Sequence, residues 1–144
     1  MTCFVLDASV ALCWCFENQA TPYTEAIFQM MADGSEARVP FIWPLEMANA
    51  LALGERRKAL TVAQTTTFLR ELQQGPIEVD SAGLGRAFHQ ILAAARTHKL
   101  SAYNAAYLEL ALREGLPIAT LDKDLRTAAR TAGVGIARTG PALA

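Results

Sequence analysis

Short apolar runs alternate with helical patterns along most of this chain. The runs at residues 3–6 and 118–121 are continuous rather than alternating, which is typical of strands covered on both faces. Residues 37–40, 77–80 and 134–137 predict three further short strands. Strands that alternate with helices in this way predict an α/β fold with a mainly parallel central sheet, flanked by helices on both faces.

Local signals predict where several helices begin and end. Ser9 is a candidate N-cap of the first helix, Pro44 suits the first turn of another, and Gly54 is the expected stop of that helix. Thr61 followed three residues later by Gln64 is a capping box, which predicts a helix from that point.

The C-terminal half is predicted to be largely helical as well. Residues 84–98, about 101–114 and about 122–131 carry helical patterns, and Gly115 is the expected C-cap of the second of them. No repeat, low-complexity segment or interdomain linker interrupts the chain. Residues 1–144 are therefore predicted to form one domain, with residues 139–144 expected to fray.

Composition narrows the class of protein. The chain has 144 residues, is 52% hydrophobic and 19% charged, and so is predicted to fold as a globular domain rather than to be extensively disordered. A net charge of −1 excludes a surface that is basic all over, but it does not exclude a local basic groove. No apolar run is long enough to span a bilayer, and no basic segment precedes the first apolar stretch. We expect a cytoplasmic protein without a membrane partner and with reduced cysteines.

Two predicted strands lead into an aspartate, Asp7 and Asp122. In open parallel sheets, ligands bind outside the carboxyl ends of the strands. If the two strands are neighbours, about 4.8 Å apart, their carboxylates are placed to bind one cation. The alternative is that both aspartates are simply helix N-caps.

Two more polar residues interrupt apolar helical stretches. Glu46 lies in the first turn of a predicted helix, where the helix dipole alone favours an acid. Asn104 lies near the start of a helix that is apolar nearly all round, so its side chain needs a partner. Ser101 is better placed than Asn104 to cap that helix.

Four segments together resemble a known family. They occur in this order: VLDASV at 5–10, PLEMANAL at 44–51, LSAYNAAYLELA at 100–111 and ATLDKDL at 119–125. In this order and spacing they resemble the PIN-domain ribonucleases, in particular the VapC-type toxins of bacterial toxin–antitoxin pairs. The resemblance covers nearly the whole chain and implies a PIN-like α/β/α sandwich.

The resemblance implies an acidic cluster that holds Mg²⁺ or Mn²⁺ for hydrolysis of RNA phosphodiester bonds. By position, Asp7, Glu46 and Asp122 match three of the family's acids. Asn104 stands where the family usually has another aspartate, so the sequence departs from the pattern there. These four residues are the candidate catalytic and metal-binding residues.

The resemblance also implies supporting residues and partners. Thr120 matches a hydroxyl residue that often lines the same site, Asp124 is a candidate extra carboxylate, and Ser9 is a further candidate supporting residue. Family members cleave a particular RNA, commonly a tRNA or ribosomal RNA. They commonly form homodimers and are inhibited by a small VapB-type antitoxin.

The chemistry explains why Asn104 matters. Hard divalent cations prefer oxygen ligands, activate water and relieve charge on the phosphate. The Asn104 amide oxygen can ligate a cation but adds no charge and cannot act as a base. We therefore predict weak metal binding and low or absent nuclease activity for this chain. The alternative function is a catalytically silent PIN-fold module that binds RNA or an antitoxin. A nucleotide-binding enzyme is disfavoured, because no glycine-rich phosphate loop follows a predicted strand.

Overall fold

A four-stranded sheet forms the centre of the fold. The computed structural model describes residues 2–138, and the prediction for residues 139–144 lies outside this range. The strands are β1 (Cys3–Leu6), β2 (Glu36–Val39), β3 (Ile77–Val79) and β4 (Ile118–Ala119), in the order β3-β2-β1-β4. Every pairing is parallel, so the predicted mainly parallel sheet is confirmed.

Helices pack on both faces of this sheet. Those of the described residues are α1 (Ala8–Cys13), α2 (Pro22–Ala32), α3 (Trp43–Arg56), α4 (Val62–Gln73), α5 (Leu92–His98), α6 (Ala102–Glu114) and α7 (Lys123–Thr131). Phe4, Val5 and Leu6 of β1 have no exposed surface, as the continuous apolar run predicts for a covered strand. In the described range 2–138, no helix is both long enough and apolar enough to cross a membrane.

Three helix ends that carry a local signal lie where the sequence predicts them. Thr61 and Gln64 form the expected capping box at the start of α4. Ser101 caps α6 by accepting a hydrogen bond from the Asn104 backbone N–H. Gly115 ends α6 with φ of +67°, in the left-handed region that favours glycine.

Two predicted helix ends are wrong. Ser9 lies inside α1, and Asp7 occupies the N-cap position. The Ser9 hydroxyl donates instead to Oδ2 of Asp7, two residues earlier, and accepts from the N–H of Leu121, which lies in the turn after the neighbouring strand β4. Gly54 does not stop α3, which continues to Arg56. A Cβ at position 54 would lie 2.9 Å from Phe16 Cζ, so close packing against that ring accounts for the glycine.

Three predicted segments are shorter or more broken than expected. The 84–98 helix consists of a 3₁₀ turn (Leu84–Arg86), a π turn (Ala87–Ile91) and α5. Strand β4 ends at Ala119, because the chain turns where the Asp122 N–H bonds the Thr120 hydroxyl. Residues 134–137 form no full strand, since the two-residue β4 offers only an isolated bridge between Ile118 and Ile136.

A nearly buried ion network ties the end of β3 to α6. Arg113 of α6 donates to both oxygens of Asp80, at 3.0 and 2.7 Å, and to both oxygens of Glu109, at 3.0 Å each. Asp80 also accepts from the Gly83 N–H at 2.8 Å. The bond with Arg113 holds the pKa of Asp80 below its ordinary value. This network ties α6 to the β3 edge of the sheet, which is opposite the edge that β4 forms.

Candidate metal-binding site

The candidate site lies at the carboxyl edge of β1 and β4, which are neighbours. Leu6 pairs with Ala119, and the Asp7 N–H donates to the Ala119 carbonyl at 2.9 Å. The condition for bringing the two acidic segments together is therefore met. Because β4 ends two residues earlier than the sequence suggests, Thr120 lies beside Asp7 and Asp122 follows in the turn to α7.

Asp7 is the most buried acid of the site, with 5% of its surface exposed. The Ser9 and Thr120 hydroxyls both donate to its Oδ2 atom, at 2.7 and 2.6 Å. Burial raises the pKa of Asp7 above its ordinary value, the two hydroxyl bonds oppose this, and the nearby charge of Asp122 adds to it. The carboxylate is thus costly to ionise, yet held by donors that favour the ionised form.

The two hydroxyls also fix the turn after β4. Ser9 Oγ accepts from the Leu121 N–H, and Thr120 Oγ1 accepts from the Asp122 N–H, each at 3.0 Å. Since a hydroxyl has a single proton, accepting from the backbone leaves that proton for Asp7. Ser9 and Thr120 therefore join the turn after β1 to the turn after β4.

Asp122 combines a structural position with proximity to Asp7. Its Oδ1 atom accepts from the Leu125 N–H at 2.8 Å and caps α7, so the N-cap interpretation is right for this residue. Asp7 occupies the N-cap position of α1 but makes no side-chain capping bond. Helix capping therefore explains the position of the Asp122 side chain. It does not explain the direction of the Asp7 side chain, which makes no capping bond to the helix that it precedes.

Glu46 is held by a residue that the sequence reasoning missed. The hydroxyl of Tyr107, on α6, donates to Glu46 Oε1 at 2.6 Å and accepts from the Ala8 N–H at 3.3 Å. Burial raises the pKa of Glu46, the Tyr107 bond opposes this, and the charge of Asp7 raises it further. The available signal was Tyr107 itself, one helical turn after Asn104 in an otherwise apolar helix.

The remaining candidates are less closely joined to the acids. Asn104 lies half-buried in the first turn of α6, on the same face as Tyr107, and its amide side chain makes no hydrogen bond with residues 2–138. Asp124 is exposed in the first turn of α7 and bonds none of the site residues within the described range. Thr120 thus links the Asp7 carboxylate to the backbone of Asp122, and Tyr107 links the Glu46 carboxylate to the backbone N–H that follows Asp7. Asp124 lies outside these links.

The donor set has the chemistry that a hard cation prefers. Asp7, Glu46 and Asp122 each have one oxygen engaged by protein donors, and their second oxygens carry no side-chain hydrogen bond among residues 2–138. In that range no group of three or more His, Cys, Asp or Glu side chains is close enough to hold a metal. Mg²⁺ keeps several waters and takes one or two carboxylates, so a sparse site of this kind fits it. Weak binding is the expected consequence.

Replacing the buried acid tests its energetic cost. Because its folded pKa is raised, Asp7 contributes stability below its unfolded pKa, near 3.8, and that contribution is lost as pH rises through the folded value. We expect Asp7→Asn to raise the free energy of unfolding by about 1 kcal/mol at pH 7 without metal, and by much less near pH 3.5. Urea denaturation with a chelator at both pH values measures this. The exposed Asp124→Asn is the control, and a destabilised Asp7→Asn at pH 7 would contradict the expectation.

A second concave feature lies on the α1–α4 side of the molecule. Two cavities of about 640 and 290 Å³ share Trp14, Phe68 and Glu71 in their walls. The larger cavity extends past Glu17 and mixes polar with apolar lining, whereas the smaller extends past Phe28 and is mainly apolar. Glu17 and Glu71 are exposed. We call this feature the α1–α4 groove. It contains none of the candidate metal-binding residues.

Comparisons with solved structures identify the class of fold. The chain is similar to PAE2754 from Pyrobaculum aerophilum, with 18% identity, coverage of 88% of this chain and 84% of that one, and a TM-score of 0.64. It is similar to a chain in the structure of VapBC2 from Rickettsia felis bound to a promoter DNA fragment. The identity is 11%, the match covers 94% of this chain and 98% of that one, and the TM-score is 0.65. It is also similar to FitAcB from Neisseria gonorrhoeae, with 19% identity, 92% and 95% coverage and a TM-score of 0.58.

These likenesses establish the fold. The predicted α/β/α sandwich is confirmed, and the chain shares its fold with these structures, since the match extends over most of the chain in each case. No family model and no curated protein matches the sequence. At identities below 20% the likeness carries no residue roles, so those rest on the geometry of this chain.

Proposed function

We propose that this chain is a metal-dependent ribonuclease toxin of the VapC type, weakened by Asn104. The observation that carries the proposal is the joining of Asp7, Glu46 and Asp122 at one edge of the sheet by Ser9, Thr120 and Tyr107. Acids brought together at a cost in stability are better explained by a function than by packing. The likeness in fold to VapBC2 and FitAcB supports the same class.

The proposed roles follow from the hydrogen bonds. Asp7 and Asp122 offer their less engaged oxygens to Mg²⁺ or Mn²⁺, with the Asn104 amide oxygen and Glu46 at the border of the site. The bound cation supplies an activated water and relieves charge on the scissile phosphate. Ser9 and Thr120 hold the Asp7 carboxylate in place before the substrate arrives. Pre-positioned oxygens of this kind avoid reorganisation during the reaction.

The proposed substrate is RNA, with tRNA or ribosomal RNA as the expected class. Single-stranded loops are favoured, because their bases can be splayed out and read. Arg96 and Lys99 precede the Asn104 end of α6, and no acid occurs from residue 81 to residue 108. Because this stretch has basic residues and no acids, it does not repel the phosphate backbone of an RNA that approaches the site.

The proposed partners are a VapB-type antitoxin and a second copy of this chain. VapBC2 and FitAcB share the fold, and the α1–α4 groove offers aromatic rings, one mainly apolar cavity, one mixed polar and apolar cavity, and exposed acids. An amphipathic segment with apolar anchors and a basic residue fits such a groove. In this proposal the antitoxin binds the α1–α4 groove, which is separate from the candidate metal-binding acids.

Asn104 favours one second candidate, a PIN-fold module that binds RNA or an antitoxin without cleaving RNA. An amide at that position lowers the formal negative charge of the site by one relative to the family pattern. Binding through the acid-free stretch and the α1–α4 groove does not require a metal. The two candidates differ in whether a divalent cation binds at the acids.

A metal titration distinguishes them. We expect the wild-type chain to bind Mn²⁺ weakly, Asn104→Asp to bind it at least about tenfold more tightly, and Asp7→Asn and Asp122→Asn to lose the site. Calorimetry and the electron paramagnetic resonance signal of free Mn²⁺ both report this binding. Asp124→Asn, at an exposed acid outside the cluster, is the control. Equal Mn²⁺ binding by all variants would reject the nuclease and favour the silent module.

A further inference from the structure

The side chain of Tyr107 is completely buried at the junction of three elements of the site. It belongs to α6, and its hydroxyl contacts Glu46 on α3 and the N–H of Ala8, the first residue of α1. The two partners are 61 and 99 residues away along the chain. No other side chain of the described residues bonds both of these segments.

Packing alone does not account for this tyrosine. Phenylalanine would fill the same space, and a buried hydroxyl carries a desolvation cost unless it finds partners. Both partners of the Tyr107 hydroxyl belong to the candidate site, and the bond to Glu46 is short at 2.6 Å, as expected for a charge-assisted bond.

The donor and acceptor roles of this hydroxyl are fixed. The Ala8 N–H can only donate, so the hydroxyl accepts from it and has its single proton left for Glu46. Oxygen Oε1 of Glu46 is thereby engaged, and Oε2 is the atom left to face a ligand. A glutamate in the first turn of a helix otherwise samples several rotamers in solvent.

We propose that Tyr107 is a positioning residue whose hydroxyl, held by the Ala8 N–H, directs the Glu46 carboxylate toward Asp7. The proposal rests on the proposed function in one respect, namely that the ligand oriented in this way is a divalent cation. Because the same hydroxyl bonds the residue after Asp7, it sets the separation of Glu46 and Asp7 rather than the position of Glu46 alone.

The first test measures the order of Glu46 directly, without metal. In Tyr107→Phe, we expect the side-chain carboxyl carbon of Glu46 to shift and to show increased motion by NMR, while the backbone spectrum stays folded. The matched control is Tyr103→Phe, on the same helix, where the tyrosine is 61% exposed. An unchanged Glu46 signal in Tyr107→Phe would overturn the proposal.

The second test asks whether Tyr107 acts through Glu46. We expect Tyr107→Phe to weaken Mn²⁺ binding by about tenfold in the Asn104→Asp background, and to have no further effect once Glu46→Ala is present. An additive loss in the double variant would indicate a general structural role and overturn the proposal.

The two proposals fail in different ways. If neither the wild-type chain nor Asn104→Asp binds Mn²⁺, the metal-dependent function is rejected, and the Glu46 signal still decides the role of Tyr107. If Mn²⁺ binds and Tyr107→Phe leaves both the signal and the affinity unchanged, the positioning role is rejected and the proposed function stands.

Discussion

Asn104→Asp is expected to raise Mn²⁺-dependent RNA cleavage by at least about 100-fold over the wild-type chain. The substitution adds a carboxylate in the first turn of α6, on the face that carries Tyr107 and therefore toward Glu46. There it supplies a charged ligand and a base that an amide cannot supply. It also adds repulsion among the acids, so the metal-free variant should unfold slightly more easily than the wild-type chain.

Cleavage of a labelled total tRNA and ribosomal RNA preparation measures this effect, with Mn²⁺, Mg²⁺ or a chelator. Asn18→Asp adds the same charge at an exposed position away from the acids and should leave cleavage unchanged. Adding Asp7→Asn to Asn104→Asp should remove the gain. If Asn104→Asp cleaves no better than the wild-type chain, the interpretation of position 104 is wrong.

Arg113→Met is expected to lower the free energy of unfolding by about 3 kcal/mol at pH 7. The guanidinium group is the common partner of Asp80 and Glu109, whose side chains are only 9% and 7% exposed. Without it, two nearly buried carboxylates lose their main counter-charge, and only the Arg86 guanidinium, more exposed and 3.9 Å from Glu109 Oε2, stays near Glu109. Urea denaturation measures the loss.

The loss should depend on pH with a definite sign. The pKa of Asp80 is depressed in the folded state, so its ion pair contributes stability above the unfolded pKa, near 3.8, and that stability is lost as pH falls through the folded value. The difference between Arg113→Met and the wild-type chain should therefore shrink below about pH 4. Arg38→Met, which breaks an ion pair with Glu114 that is about one-third exposed, should cost less than about 1 kcal/mol. Equal losses at positions 38 and 113 would contradict this account.

Local signals were sufficient for most of the fold. The capping box at Thr61, the Ser101 cap and the Gly115 end involve atoms a few residues apart, so the sequence shows them directly. The burial of β1 follows from its continuous apolar run. The errors arise where distant residues decide the outcome. Gly54 is set by the Phe16 ring, 38 positions earlier, rather than by the end of its own helix.

The candidate site divides in the same way. That Asp7 and Asp122 follow strands at one edge of a parallel sheet was predictable, whereas the pairing of those two strands as neighbours was left open and comes from the structure. The bond between the Tyr107 hydroxyl and Glu46 was not predictable, because the two residues are 61 positions apart and no local pattern links them. Ser9 was predicted as a cap from its place before a helix, whereas the chain 112 residues later supplies its actual partner.

The sheet order has a consequence for how the protein is made. Strand β1 emerges first during translation, yet it needs both β2 and β4 as neighbours, and β4 begins only at Ile118. Asp7 receives the Thr120 hydroxyl only when the ribosome has passed that codon. Nascent chains that stall earlier lack Thr120 and Asp122, and such long-range strand pairing is slow. The complete set of candidate site residues is therefore present only when most of the chain has been synthesised.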